Sequence, residues 1–171
     1  LINGAIPQIN LGQNETVTLR FDFVDSSGQP VVLREFFLTC YDLDQETDLP
    51  SGMESVTASG FVKYDVDSST ELDVSSTSDG SVTFTSSQPG VLADNPTHPT
   101  NLTAEQRARS VTLWYRETST LTIIYSTTAS VCSPTPCGGR NLLFAGVSAF
   151  DPHPCCCLLY TSPSPRDPTS S

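Results

Sequence analysis

The stretch from Phe36 to Asp44 constrains the fold of this chain more than any other. It begins with Phe-Phe-Leu-Thr-Cys-Tyr, which carries no charge. A short run this rich in aromatic residues predicts a β-strand buried on both faces. Asp42 and Asp44 end the stretch two positions apart, and because side chains alternate along a strand, we expect them on one face. Two carboxylates this close are costly unless something positive lies between them.

Alternating apolar and polar residues recur along the chain, bounded by turn residues. Residues 16–23, 111–115 and 121–125 follow this pattern, which is typical of half-buried strands. The turn clusters between such segments predict β-hairpins over residues 14–44 and 111–125, and Asp79-Gly80 predicts another.

One segment favours a helix instead of a strand. Thr103 and Gln106 have the spacing of a capping box, which predicts a short helix over 103–109. Many short strands with a single short helix predict an all-β fold, and we expect an antiparallel β-sandwich of jelly-roll type.

We expect one sandwich domain over residues 1–150 and a disordered tail over 151–171. The segment 157–167 resembles, residue for residue, a translated sequencing adapter, so the tail is expected to have no role in folding or function. The chain opens within a pattern at Leu1, from which we expect that the natural protein begins upstream.

The charge balance restricts the partners. The chain has 8 Lys and Arg against 19 Asp and Glu, a net charge of −11. Such a chain repels nucleic acids and anionic membrane surfaces, and no apolar run is long enough for membrane insertion. Cations, basic proteins and neutral polymers such as glycans remain suitable partners, although the acidity also fits solubility alone.

Cysteine spacing and sequons favour an extracellular or cell-surface location. Cys132 and Cys137 have a spacing compatible with a small disulfide loop, whereas Cys40 is expected to pack as a small apolar group. Asn14 and Asn101 each begin a glycosylation sequon.

The acidic end of the predicted central strand is a candidate calcium site. Calcium takes six to eight oxygen ligands from carboxylates, carbonyls and water. Asp42 and Asp44 would supply carboxylates, together with Asp48, Glu54 and Asp22 from the following loop and a neighbouring strand. The alternative is a rim of solvated carboxylates that protects the sheet edge.

No set of catalytic residues stands out. The chain has two histidines, no Gly-x-Ser-x-Gly motif and no distinguishable nucleophile, so we expect no enzyme activity. Trp114 and Tyr115 are adjacent in an alternating segment, so one of them faces outward, where an aromatic ring could stack against a sugar. The alternative is that Trp114 fills the core.

Several segments resemble one group of proteins. Leu19–Phe23 followed by Phe37–Asp44, with Asp94–Thr97, Leu102–Gln106 and Gly139–Gly146, is similar to secreted β-sandwich domains of uncharacterised surface proteins from marine protists. The resemblance implies an extracellular, modular and non-catalytic domain, and it transfers no catalytic residue.

These observations favour an extracellular binding or adhesion module that binds a glycan or a cell-surface protein. One alternative is a carbohydrate-active enzyme domain or its accessory module, and another is a structural repeat of a surface protein. A concave sheet with paired carboxylates inside it would favour the enzyme. A filled core with carboxylates at one rim would favour the module.

Overall fold

A computed structural model of the chain describes residues 2, 3, 6–46, 51–90, 94–130 and 138–148. Three residues of the sequence predictions, Asp48, Cys132 and Cys137, lie outside the described residues, as does the segment 151–171.

The described chain consists mainly of strands. In chain order these are β1 (Ile2–Asn3), β2 (Ile6–Leu11), β3 (Thr16–Asp22), β4 (Leu33–Tyr41), β5 (Glu54–Ala58), β6 (Lys63–Val66), β7 (Leu72–Ser76), β8 (Val82–Ser86), β9 (Val111–Thr118), β10 (Thr120–Thr127) and β11 (Arg140–Ser148). A short helix, α1 (Ala104–Ala108), lies between β8 and β9.

The strands form two antiparallel sheets that pack face to face. The first sheet has the order β1-β2-β11-β4-β9-β6, and the second has the order β3-β10-β5-β8-β7. Apolar side chains from both sheets meet in one core between them. The predicted antiparallel β-sandwich is therefore confirmed.

The pairing pattern is nested, which is the arrangement of a jelly roll. β2 pairs with β11, β3 with β10, β4 with β9, and β5 with β8, and these pairs alternate between the two sheets. The chain therefore behaves as a long double-stranded ribbon that has been rolled into a sandwich. Strands β1, β6 and β7 extend the sheets at their edges.

This topology corrects two of the predicted hairpins. β3 and β4 lie in different sheets, and so do β9 and β10, so neither pair of consecutive strands is hydrogen bonded. Alternation predicts a strand but does not identify its partner. The hairpin at Asp79-Gly80 is confirmed, because β7 pairs with β8 across a turn closed by a 2.9 Å bond from Thr77 N to Ser81 O.

Strand β4 is central in its sheet, between β11 and β9. Phe36, Leu38 and Cys40 point into the core between the sheets. On the opposite face, Tyr41 packs with Ile6 and other apolar side chains, and its hydroxyl donates to the Pro99 carbonyl at 3.0 Å. Burial on both faces is therefore confirmed at the end of β4 that leads into the acidic residues.

The predicted capping box is also present. The Gln106 amide donates to Thr103 Oγ1 at 3.2 Å, and the Thr103 amide donates to Gln106 Oε1 at 3.0 Å. The helix has five residues and ends at Ala108, so it lies within the predicted range 103–109. Across the described residues, the structure contains no helix with the length and apolar character needed to cross a membrane.

Candidate metal centre

The acidic cluster begins where β4 ends. Strand β4 stops at Tyr41, and Asp42 takes a left-handed conformation with φ of 61°. Leu43 then returns to the core, and its amide donates to the Arg109 carbonyl at 3.1 Å. Asp42 and Asp44 are brought together as predicted, but by this turn instead of by strand alternation.

Three carboxylates converge at this point. Each of Asp42, Asp44 and Asp94 offers an oxygen within 4.8 Å of those of the other two, and their residues are only 7%, 5% and 6% exposed. Calcium–oxygen distances are about 2.4 Å, so two oxygens on one ion can be at most about 4.8 Å apart. The triad Asp42/Asp44/Asp94 therefore has the dimensions of a shared cation site.

Backbone hydrogen bonds fix the segment that carries Asp44 against the loop after β8. Gln45 N donates to Gln88 O at 3.0 Å, and Gly90 N donates to Gln45 O at the same distance. The Asp44 carboxylate lies where a side chain at position 90 would begin, so a Cβ on Gly90 would collide with it. A residue without a side chain is therefore required at position 90.

Glu54, a predicted ligand, lies beside the triad and supports it. It is 1% exposed and accepts hydrogen bonds from the Asp44 amide at 3.1 Å and from the Tyr125 hydroxyl. Arg140 Nη2 lies 3.2 Å from Glu54 Oε2. Glu54 is not one of the three carboxylates that converge within 4.8 Å.

Two arginines contact the cluster through different carboxylates. Arg109 contacts Asp94 through Nη1, Glu71 through Nε at 2.8 Å and the Pro89 carbonyl through Nη2 at 3.0 Å. Arg140 contacts Asp44 and Glu54 through Nη2. The arginines tie the triad to the neighbouring strands and loops.

Burial raises the pKa values of two carboxyl groups at the site, those of Asp42 and Glu54. Burial, aided by repulsion from Asp94, raises the pKa of Asp42 to about 6 despite the attraction of Arg140 and Arg109. Burial also raises the pKa of Glu54 well above its ordinary value. Four buried carboxylates face two guanidinium groups, so two negative charges remain uncompensated when all four acids are ionised.

Among the described residues, none donates a hydrogen bond to the Asp42 carboxylate. None of them forms an ion pair with it either, although Asp42 is 7% exposed. Partial burial of this carboxylate beside two other acids is costly, because it weakens the hydration of the charged form. This side chain therefore points to a positively charged ligand.

Asp22 does not belong to the site. It ends β3 at the position paired with Thr120, whereas Glu54 pairs with Thr127 at the other end of β10. At a rise of about 3.3 Å per residue, these positions are roughly 20 Å apart. Asp22 is exposed and pairs with Arg20 at 2.9 Å, so its predicted role as a ligand is wrong.

The structure places Trp114 and Tyr115 on opposite faces of the first sheet. Tyr115 lies in the core and is 2% exposed, so it is inaccessible to a surface ligand. Trp114 lies on the outer face, in a row with Phe37, Lys63 and Val147. The rings of Trp114 and Phe37 are nearly parallel, with centroids 6.1 Å apart.

The remaining predicted sites are less informative. Asn14 and Asn101, which begin the two sequons, are both exposed. Cys40 is fully buried, which confirms that it packs as an apolar residue, and burial raises the pKa of its thiol to about 12.

Sequence reasoning missed Asp94, Arg109 and Arg140. Asp94 lies in a proline-rich loop far along the chain from Asp42, so no spacing connects the two. The segment Asp94–Thr97 belonged to the resemblance described above, but that resemblance assigned no chemistry to it. The arginines had no signal, because their role comes only from the tertiary contacts.

The donor set indicates the class of metal. Carboxylate oxygens favour hard cations such as calcium or magnesium, whereas zinc sites use His and Cys. The cluster in the described part of the chain contains neither His nor Cys. Comparison of the chain with protein families, characterised proteins and solved structures finds no match.

Proposed function

We propose that this chain is a non-catalytic β-sandwich binding module in which a calcium ion, held by Asp42, Asp44 and Asp94, stabilises one end of the sandwich. The observation that carries the proposal is the convergence of carboxylate oxygens from Asp42, Asp44 and Asp94 within 4.8 Å of one another in a buried setting, where Asp42 receives no hydrogen bond from a described residue.

A bound cation would offset the repulsion among the buried carboxylates of this cluster. Without it, the buried acids must take up protons or remain uncompensated. A divalent ion would balance the two excess charges while it accepts oxygens from two separate segments, residues 42–44 and Asp94. Backbone carbonyls and water would complete the six to eight ligands that calcium prefers.

The surrounding structure favours a module over an enzyme. The space between the sheets is filled by apolar side chains, and the carboxylates of the triad cluster at the end of β4. This is the arrangement expected for a module. The proposed extracellular location sets the expected calcium dissociation constant at about 10⁻⁴ to 10⁻³ M, the range of extracellular modules.

A glycan is the proposed ligand of the module, because Trp114 and Phe37 form an aromatic row on the outer face of the first sheet. Lys63 and Arg116 lie over the Trp114 ring, with their charged groups 5.0 Å and 4.7 Å from its centroid, so a sugar would stack on the ring by displacing one of these side chains. A glycan array probed with the wild-type protein and with Trp114→Ala tests this part of the proposal, and equal binding by both proteins would contradict it.

The calcium site is tested by thermal unfolding of the full chain in chelator and in 2 mM calcium. For a dissociation constant of about 10⁻⁴ M, linkage predicts a gain of about 2 kcal/mol, or a rise in Tm of roughly 5 °C. The double variant Asp42→Asn/Asp94→Asn should lose this rise. The rise is measured against the Tm of the same variant in chelator, because Asp94→Asn also breaks the buried ion pair with Arg109 and so lowers the starting stability.

The matched control is Asp67→Asn, which changes an exposed aspartate outside the cluster and should leave the calcium response intact. Absence of a rise in the wild type, or a rise that survives in the double variant, would contradict the calcium site.

A further inference from the structure

Arg140 shares a carboxylate with the proposed cation. It is the first residue of β11, and its Nη2 contacts Asp44 Oδ1, an atom of the triad's own carboxylate. The same nitrogen lies 3.2 Å from Glu54 Oε2, and Nη1 lies 3.6 Å from Glu46 Oε1. A cation bound by Asp44 must therefore accept a guanidinium as its neighbour or displace it.

One nitrogen of the Arg140 guanidinium makes no hydrogen bond within the described residues. This nitrogen, Nε, is buried. Burial lowers the pKa of this guanidinium, although attraction to Asp42 opposes the shift. Arg140 is therefore held at the cluster by its charge more than by a complete set of hydrogen bonds.

Arg109 provides a contrast at another carboxylate of the triad. Besides Asp94, Arg109 contacts Glu71, Glu105 and the Pro89 carbonyl. Its guanidinium group is therefore held in place by groups outside the triad. Arg140 has Glu54 and Glu46 as its other partners, and both lie beside Asp44. Of the two arginines, Arg140 can leave a triad carboxylate while it stays paired with neighbouring acids.

We infer that Arg140 is an internal competitor for the cation: it pairs with Asp44 when the site is empty and shifts toward Glu54 and Glu46 when the ion binds. This inference rests on the proposed calcium site. Competition lowers the intrinsic affinity, because like charges side by side repel and binding must first break the pair. Arg140 thus determines the calcium concentration at which the site fills.

The experiment measures the calcium dissociation constant of the full chain by titration calorimetry for the wild type and Arg140→Gln. Glutamine removes the charge but keeps an amide that can donate to Glu54. We expect binding to become at least about tenfold tighter, which corresponds to about 1.4 kcal/mol. Loss of a merely structural arginine would leave binding unchanged or weaken it.

Two further variants separate local competition from general charge effects. Arg140→Lys keeps the positive charge, and its dissociation constant should stay close to that of the wild type. Arg116→Gln removes the same charge from an exposed arginine paired with Glu35, so it should also leave the constant unchanged.

The outcomes distinguish the two proposals. If the wild type binds calcium and Arg140→Gln binds no more tightly, the competition is wrong while the calcium site stands. If neither protein binds, both proposals are wrong. Binding by Arg140→Gln alone would support the competition and show that Arg140 closes the site in the wild type.

A measurement on the wild type does not depend on the folding of any variant. In ¹⁵N-arginine spectra, the Nε–H signal of Arg140 should shift when calcium is added, whereas that of Arg116 should stay in place. An unmoved Arg140 signal at saturating calcium would overturn the inference.

Discussion

Two groups of aspartates in this protein have the same chemistry and opposite surroundings. Asp25, Asp67 and Asp79 lie in exposed turns, each followed two residues later by a serine whose amide donates to the carboxylate at 2.8–2.9 Å. These hydrogen bonds favour the charged form, and they lower the pKa of all three aspartates.

Within the triad Asp42/Asp44/Asp94, Asp42 shows the reverse. Asp42 is buried, no amide in the described part of the chain donates to it, and burial raises its pKa to about 6. The comparison teaches that donors, more than residue type, decide whether a carboxylate stabilises its own loop. The carboxylates of the turn aspartates are solvated by backbone amides, whereas Asp44 and Asp94 depend on their pairs with Arg140 and Arg109.

The largest expected difference between the two groups is in pH dependence. The folded-state pKa of Asp42 lies above its ordinary value of 3.8, so in chelator this residue stabilises the folded state as pH falls from about 7 to about 4. The expected gain is about 3 kcal/mol from the shift of Asp42, measured by urea unfolding at several pH values. Glu54 shifts in the same direction and should add to the gain.

The turn aspartates have the opposite sign. Their lowered pKa values stabilise the fold above pH 3.8 and lose this effect as pH falls further. Stability in chelator should therefore pass through a maximum near pH 4 to 5. The variant Asp42→Asn should flatten the rise on the neutral side, and an unchanged profile in that variant would remove the distinction between the groups.

A smaller difference in stability and calcium response is expected when a glycine of each region is replaced by alanine. Gly90→Ala would place a Cβ against the Asp44 carboxylate, so the carboxylate must move. We expect a loss of about 1–3 kcal/mol from overpacking, together with loss of the calcium-dependent rise in Tm. Urea unfolding and the calcium melt measure the two effects.

Gly28→Ala is the matched control in the turn of Asp25. Gly28 has φ of 82° and open space around the missing Cβ, so alanine there costs only backbone strain of about 1–2 kcal/mol. Its calcium response should equal that of the wild type. If both variants keep the response, Gly90 does not position Asp44 for the ion.

Part of the site could be predicted from the sequence. Asp42 and Asp44 were predicted together because two acids directly follow an apolar run, and Glu54 lies beside them in the structure. Asp94 could not be predicted by spacing, since it arrives from the loop after β8. Asp22 was misplaced, because its strand was assumed to pair with β4 although it belongs to the other sheet.

Trp114 and Tyr115 are a second case in which the sequence pattern predicted only part of the arrangement. Alternation required Trp114 and Tyr115 to face opposite sides of the strand, and they do. Which side is the core depends on the second sheet, and the structure buries Tyr115 while it leaves Trp114 on the outer face.

By itself, the sequence determined the local elements of this protein: the strand segments, the turn at Asp79-Gly80 and the capping box of α1. Each depends on residues a few positions apart, so side-chain alternation and hydrogen bonds between near neighbours are sufficient. Only the tertiary structure decided which strands pair and which charges meet. The jelly roll pairs β2 with β11 and β3 with β10, so strands from opposite ends of the described chain become neighbours. Asp42 meets Asp94, and Arg140 meets Asp44, for the same reason: rolling the chain brings its distant segments to one end of the sandwich.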